Sequence, residues 1–249
     1  MDIVLAAVGL ILFAPLFALI AALIVLDSGR PVFYRVERVG FHGRPLRMLK
    51  FRKMREGAAG RALTTDGDSR LTPVGRWLMR TRLDELPQLW HILCGEMSLV
   101  GPRPEHLGFV ARHPTPYTRI LSVRPGLTGW SQLAYADECS VLDPDDPLGH
   151  YVAAILPRKV ALDWLYASKC KLRQDLGILI ATFATVVLRQ PVVVNASTGR
   201  LTFTARRRRQ AEASAPRPAL PAPAPAESGV VLSAANERAV APSDGVFKA

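Results

Sequence analysis

The sequence predicts an α+β protein in which an N-terminal membrane helix, a small β-hairpin and several helices form a membrane-surface domain, followed by a disordered C-terminal tail. Three observations predict it. Residues Ile3 to Leu26 are uncharged and strongly apolar, two short apolar runs flank a Gly-containing turn, and the stretch beyond them is punctuated by helix caps. With 249 residues, 49% of them hydrophobic, the chain can bury one sizeable core. The corresponding division is 1–27 for the membrane helix, 28–200 for the folded domain and 201–249 for the Arg/Ala/Pro-rich tail.

As a continuous helix, Ile3 to Leu26 would be roughly 36 Å long, enough to cross a hydrocarbon core of about 30 Å. A signal peptide would need a basic leader and a small-residue cleavage site, whereas the chain starts Met1-Asp2 and continues Leu26-Asp27-Ser28-Gly29-Arg30. Pro15 at mid-segment removes a backbone hydrogen bond and bends a helix. From the residues alone, a straight span and a bent helix that leaves by the leaflet it entered are both open.

Pro31 to Val36 and Leu46 to Phe51 read as strands joined through Gly40-Phe41-His42-Gly43-Arg44-Pro45. Residues 56 to 71 read as a surface loop. Thr72-Pro73 supplies an N-cap and a proline at the first helical position, opening a helix through roughly Thr81. A second helix is expected from Asp84 to Cys94, with Gly95 closing it. Pro102, Pro104, Pro114, Pro116 and Pro125 make 101–126 loop territory. Val152 to Ala167 and Leu172 to Gln190 read as helices. The apolar run Leu176 to Leu188 is too short to span a bilayer and suits a core or interfacial helix. From Ala205 onward the composition falls to four arginines and then Ala and Pro, which cannot build a core.

The net charge of +11 calls for an anionic partner. From Ser28 to Arg55 nine Lys or Arg residues face the single Glu37, which places most of that charge beside the membrane segment. Few aromatic residues interleave with this run, which disfavours a nucleic-acid surface. Cys94, Cys139 and Cys170 follow no metal-ligand or disulfide spacing, and His91 with Cys94 finds no second pair.

The residues with chemical promise are Asp84-Glu85 and the Pro102-Arg103-Pro104 loop. A structural reading makes Asp84 an N-cap and Glu85 a favourable first-turn acid. The chemical reading has adjacent carboxylates binding a divalent cation, with flanking prolines stiffening an arginine suited to bidentate phosphate recognition.

A resemblance bears on that choice. Asp27-Ser28-Gly29-Arg30-Pro31-Val32-Phe33, Lys50-Phe51-Arg52-Lys53-Met54, Asp68-Ser69-Arg70-Leu71-Thr72, Leu83-Asp84-Glu85-Leu86-Pro87-Gln88, Gly95 through Glu105 and Arg124-Pro125-Gly126-Leu127-Thr128-Gly129-Trp130 occur in that order. Over residues 2 to about 190 the sequence thereby resembles the monotopic polyprenyl-phosphate phosphoglycosyl transferases of the bacterial sugar transferase family, in their minimal catalytic form. The resemblance implies a re-entrant membrane helix broken at Pro15 and a catalytic domain on the cytoplasmic face of the inner membrane. It also implies a UDP-sugar donor and an undecaprenyl phosphate acceptor, with membrane lipid as a further partner. A homodimer is compatible with it. Asp84 is implied as the nucleophile, Glu85 as a ligand of Mg²⁺ together with Asp84, and Lys50 and Arg103 as catalytic cations. Arg52, Arg82, Arg103 and Arg124 are expected to bind substrate phosphate. Direct attack by the lipid phosphate, with both acids serving the metal, is the competing mechanism. Ala14-Pro15 and Val36 depart from the family's usual Ser-Pro and Gln, and no basic residue precedes Asp2.

Overall fold

A computed structural model describes residues 1–58, 63–65, 67–169 and 171–203. Helix α1 (Asp2–Ser28) is helical throughout, Pro15 included, so the expected break is not an interruption of helical structure. Most of its surface has no protein partner: Ile11, Leu12 and Leu26 are 77%, 69% and 84% exposed. Yet both of its ends are fastened to the same domain. Near the N-terminus, Ala6 and Leu10 pack with Leu46, Met48, Leu89 and Ile92, and Ser98 Oγ donates to the Asp2 carboxylate at 2.5 Å. Near the C-terminus, Ile20 and Ile24 pack with Phe51 and Leu78, and the Val74 N–H donates to Asp27 at 3.3 Å.

The hairpin forms as expected, with β1 (Phe33–Val39) starting two residues later than the sequence suggested and pairing antiparallel with β2 (Pro45–Phe51) from Phe33 opposite Phe51 to Val39 opposite Pro45. Helix α2 (Pro73–Thr81) opens as its cap predicts: Thr72 Oγ1 accepts from the Gly75 N–H at 2.9 Å, and Pro73 occupies the first turn. Gly75 lies so close to β2's exit that a Cβ there would sit 1.9 Å from the Lys53 carbonyl oxygen.

The helix expected to open at Asp84 does not. Arg82, with φ 60°, closes α2, and Leu83–Gln88 forms a 3₁₀ segment before α3 (Leu89–Leu93). Pro87 accounts for this, because its ring would meet the carbonyl four residues earlier and it has no N–H to donate. Asp84 therefore caps nothing and lies buried inside the turn. Gly95 ends α3 in the left-handed region as expected, its N–H donating to the Ile92 carbonyl at 3.0 Å.

Residues 101–126 hold more regular structure than the prolines suggested. Strand β3 (Ser98–Val100) pairs in parallel with β4 (Gly126–Thr128), and α4 (Leu107–Val110) and α5 (Pro114–Ile120) lie between them. Pro114 and Pro116 fall in or near α5's first turn, where a missing N–H costs nothing. Beyond β4 come α6 (Trp130–Ala134), α7 (Glu138–Val141) and α8 (Pro147–His150), then a π-helical turn over Tyr151–Ile155 that runs into α9 (Leu156–Lys169).

Helix α10 (Leu172–Val186) buries Ile178, Ala181 and Ala184 but leaves Leu172, Leu176, Ile180 and Phe183 more than half exposed, which fits the interfacial alternative better than the core one. A hairpin of β5 (Val192–Val194) and β6 (Leu201–Phe203) follows, so the boundary expected at 201 falls inside a strand pair. The expected disordered tail from 204 and Cys170 lie outside the described residues.

A second close backbone approach joins the end of β3 to the start of β4. A Cβ on Gly126 would lie 2.0 Å from the Gly101 nitrogen, an impossible contact between two main chains. Gly126→Ala should therefore cost about 3 kcal/mol or more. Thermal unfolding in detergent micelles is the check; an unchanged midpoint would show that the strands do not need to meet there.

Candidate active site

Strand β2, the 3₁₀ segment and the loop after β3 converge on the acid pair. Glu85 is its most engaged member. Its Oε1 accepts from Lys50 Nζ at 2.7 Å and from Arg103 Nη2 at 2.9 Å, with all three side chains mostly buried. Asp84 lies beside it, buried, with Lys53 Nζ 3.6 Å from its Oδ2. Burial works against charge on Glu85, yet Arg103 and Lys50 outweigh it and hold this carboxyl well below the usual carboxylate range. Burial lowers the Lys50 ammonium from its ordinary value despite the attraction of Glu85. Glu85 raises Arg103, which stays charged at any pH the protein meets.

The structure thus brings together four side chains singled out in the sequence, Asp84, Glu85, Lys50 and Arg103. It also brings in Lys53, which the sequence reading passed over in favour of Arg52. The structure places Arg52 elsewhere. Its Nη2 donates to the carbonyls of Ser28 and Gly29 at 2.8 and 2.6 Å and its Nη1 to that of Arg30 at 3.0 Å, so the guanidinium caps the C-terminal end of α1. A guanidinium buried against three carbonyls is not available to a phosphate, and the phosphate-binding role expected of Arg52 is set aside. The misassignment has a physical origin: side chains two apart share a face only while the strand continues, and β2 ends at Phe51. Arg82 is exposed, donates to the Ala136 carbonyl and contributes positive potential at Glu85. Arg124 is exposed as well, with its guanidinium carbon 5.8 Å from the centre of the Phe41 ring.

His91 makes structural contacts with both of its ring nitrogens. Its Nε2 accepts from the Leu49 N–H at 3.0 Å and its Nδ1 lies 2.6 Å from the Glu96 carboxylate, which ties α3 to the strand carrying Lys50.

Magnesium was expected at Asp84 and Glu85. Among the described residues no group of three or more His, Cys, Asp or Glu side chains is placed to hold a metal by protein ligands alone. Mg²⁺ sites that work on phosphates commonly use only one or two carboxylates, the substrate and water supplying the rest. Two adjacent buried carboxylates fit that pattern, and both ion pairs of Glu85 among the described residues fall on one oxygen, Oε1.

The geometry is an acid pair set among several cations, on a domain that packs against both ends of an apolar helix. Comparison with known proteins gives that geometry a family. Residues 1–189 match the model of the bacterial sugar transferases, and the chain belongs to that family. It is 36% identical over 192 residues to a UDP-glucose:undecaprenyl-phosphate glucose-1-phosphate transferase of Caulobacter vibrioides, covering 75% of this chain and 68% of that one. It is 36% identical over 192 residues to the UDP-N-acetylgalactosamine-undecaprenyl-phosphate N-acetylgalactosaminephosphotransferase of Aeromonas hydrophila, covering 75% of this chain and 43% of that one. The exopolysaccharide production protein ExoY of Rhizobium meliloti is 35% identical over 206 residues, covering 75% of this chain and 84% of that one. The chain spans under half the length of the Aeromonas relative.

Glu85 makes acid stability a reporter of this cluster. Its folded-state pKa lies below its unfolded one, so its contribution is complete above pH about 4.5 and is lost as pH falls through the depressed folded value. Glu85→Gln, which leaves two buried cations without their partner, should cost about 3 kcal/mol near pH 7. The deficit against the wild type should narrow as the pH drops below about 4.5. Denaturant titrations at a series of pH values measure this, and a constant gap would show that Glu85 is not ionised against Lys50 and Arg103.

Proposed function

We propose that the chain transfers a sugar-1-phosphate from a UDP-sugar to polyprenyl phosphate, undecaprenyl phosphate in a bacterium, releasing UMP at the cytoplasmic face of the inner membrane. The activities named for the relatives, a glucose-1-phosphate transferase and an N-acetylgalactosaminephosphotransferase acting on undecaprenyl phosphate, support the donor and acceptor classes. The single observation that carries the mechanism is the unequal engagement of the acid pair. Glu85 is locked by two cations at hydrogen-bonding distance, while Asp84 faces one lysine at 3.6 Å. The less engaged carboxylate is the better nucleophile.

In this reading an Asp84 oxygen attacks the phosphorus that bears the sugar. The bond from that phosphorus to the bridging oxygen breaks, and the electron pair leaves with UMP. An oxygen of polyprenyl phosphate then attacks the same phosphorus, breaks its bond to Asp84 and restores the carboxylate. Lys53 and Arg103 hold positive charge where the phosphate oxygens gather it, the dominant source of catalysis in phosphoryl transfer. Lys50 keeps Glu85 ionised and fixed. Mg²⁺, held by Asp84 and Glu85, would add positive charge to the diphosphate when bound.

The same proposal includes the topology. A helix whose two ends are both fastened to one domain, at Asp2–Ser98 and at Asp27–Val74, is suited to dip into a leaflet and not to cross the bilayer. Trp77 and Trp90, half exposed on the helices packed against α1, and the exposed apolar side of α10 would lie at the interface.

Two measurements test the proposal. Incubated with UDP-sugar alone, the wild type should gain the mass of one phosphosugar and release about one equivalent of UMP, and Asp84→Asn should do neither. Full turnover with no adduct at any time would instead support direct attack by the lipid phosphate. For topology, a cysteine replacing Asp2 should resist an impermeant thiol reagent in intact cells and react after permeabilisation. Labelling from outside would establish a spanning helix.

A further inference from the structure

Strand β2 is tied twice to the stretch of chain that bears the acid pair. Lys50 Nζ donates to Glu85 Oε1 at 2.7 Å, and one residue earlier the Leu49 N–H donates to His91 Nε2 at 3.0 Å. His91 lies on α3, which continues directly from the 3₁₀ segment of Asp84 and Glu85, and it is 8% exposed. β2 pairs with β1 and with no other strand among the described residues, so its second edge has N–H groups to satisfy, and the imidazole takes that of Leu49 where a third strand would have offered a carbonyl. On the far side of the ring, Nδ1 lies 2.6 Å from the Glu96 carboxylate. Gly95, at φ 76°, turns the chain back so that the N–H groups of Glu96 and Met97 donate to the His91 carbonyl at 2.9 and 3.2 Å, which sets the Glu96 side chain beside the ring.

These contacts fix the tautomer. A backbone N–H can only donate, so Nε2 presents its lone pair to Leu49, and the proton of the neutral ring sits on Nδ1, where the Glu96 carboxylate accepts it. The opposite tautomer would set an N–H against the Leu49 N–H and a lone pair against the carboxylate. We propose that His91, held as the Nδ1–H tautomer by Glu96, is a positioning residue for Lys50. It acts through the Leu49 peptide, which it holds at a fixed distance from the segment carrying Asp84 and Glu85. The Lys50–Glu85 ion pair does not set that distance by itself, because a flexible lysine stem can bring its ammonium to Glu85 from many backbone positions. Phosphates entering the site also draw on Lys50 and Arg103, and an uncharged tie keeps the strand in register with the acids while those ion pairs rearrange. Displacement of Lys50 by a fraction of an ångström would lower the rate of phosphoryl transfer more than donor binding.

The inference rests on the role given to Lys50 above, and its test has one arm that needs turnover and one that does not. The second is ¹⁵N NMR of the full chain in nanodiscs with labelled histidine, the His91 signals being assigned by their loss in His91→Gln. Nε2 should resonate as an unprotonated ring nitrogen and Nδ1 as a protonated one. An Nε2–H tautomer or an imidazolium in the wild type at the pH of the assay would overturn the proposal. In the kinetic arm, with a UDP-sugar, Mg²⁺ and polyprenyl phosphate, His91→Leu keeps most of the side-chain volume and removes both bonds. It should lower kcat per folded molecule at least about tenfold with donor KM little changed. His91→Gln, whose side-chain oxygen can accept from the Leu49 N–H, should recover most of that loss. Wild-type kcat in a folded His91→Leu chain, or a His91→Gln chain no faster than His91→Leu, would equally overturn it. Should His91→Leu not fold, Glu96→Ala at the exposed end of the pair takes its place, with a smaller fall in kcat expected and wild-type kcat again the overturning result. Should the wild type turn over no UDP-sugar, the functional reading fails and the tautomer still decides whether His91 clamps β2.

Discussion

Two cations meeting one oxygen of a buried carboxylate organise this molecule. Lys50 comes from the basic hairpin, Glu85 from the 3₁₀ segment and Arg103 from the loop after β3, so the contact at Glu85 Oε1 joins three parts of the chain that share no hydrogen-bonded sheet. None of the three could be buried alone without losing its charge or a large solvation energy. Each is tolerated because the other two are present. Assembling the site and closing this part of the core are therefore one event, and loss of any member should be felt in folding as well as in chemistry.

The apolar N-terminal helix depends on the same region. β2 supplies Leu46, Met48 and Phe51 to the two apolar clusters that grip the ends of α1, while its Lys50 faces Glu85. Just past the strand, Arg52 closes the last turn of α1 on its free carbonyls. One seven-residue strand and the residues that follow thus hold the apolar helix in place and set the charges around the acid pair. This coupling fixes how far the acid pair stands from the apolar helix, a distance that a lipid-borne acceptor would have to match.

Much of this was legible in the sequence, for reasons that vary by element. Length and apolarity disclose α1, alternation and the Gly40 to Pro45 turn disclose the hairpin, and Thr72-Pro73 discloses α2, because each signal is local. Asp84, Glu85, Lys50 and Arg103 were legible through motifs. The errors fall where local rules are overridden. Pro87 converts an expected α-helical start into 3₁₀ structure, and the end of β2 separates Lys50 from Arg52. β3 and β4 are three residues each and pair across 25 intervening residues, which no local pattern announces. Lys159 and Asp163, buried on α9, drew no notice in the sequence, since nothing in a helical period says that a charged side faces inward.

The 3₁₀ turn does more than replace a helix. With three residues per turn, successive side chains point about 120° apart, so adjacent acids on it cannot share one environment. Glu85 faces Lys50 and Arg103, and Asp84 faces Lys53. Lys50 lies in β2 and Lys53 just beyond its end, so the turn of the chain after Phe51 is what lets one stretch reach both acids. Had Asp84 been an N-cap, its oxygens would have been taken by backbone N–H groups at the start of a helix. Buried without that bond, it faces only a distant lysine among the described residues. The proline that spoils the helix is what divides the pair into an acid held by two cations and an acid facing one lysine at 3.6 Å.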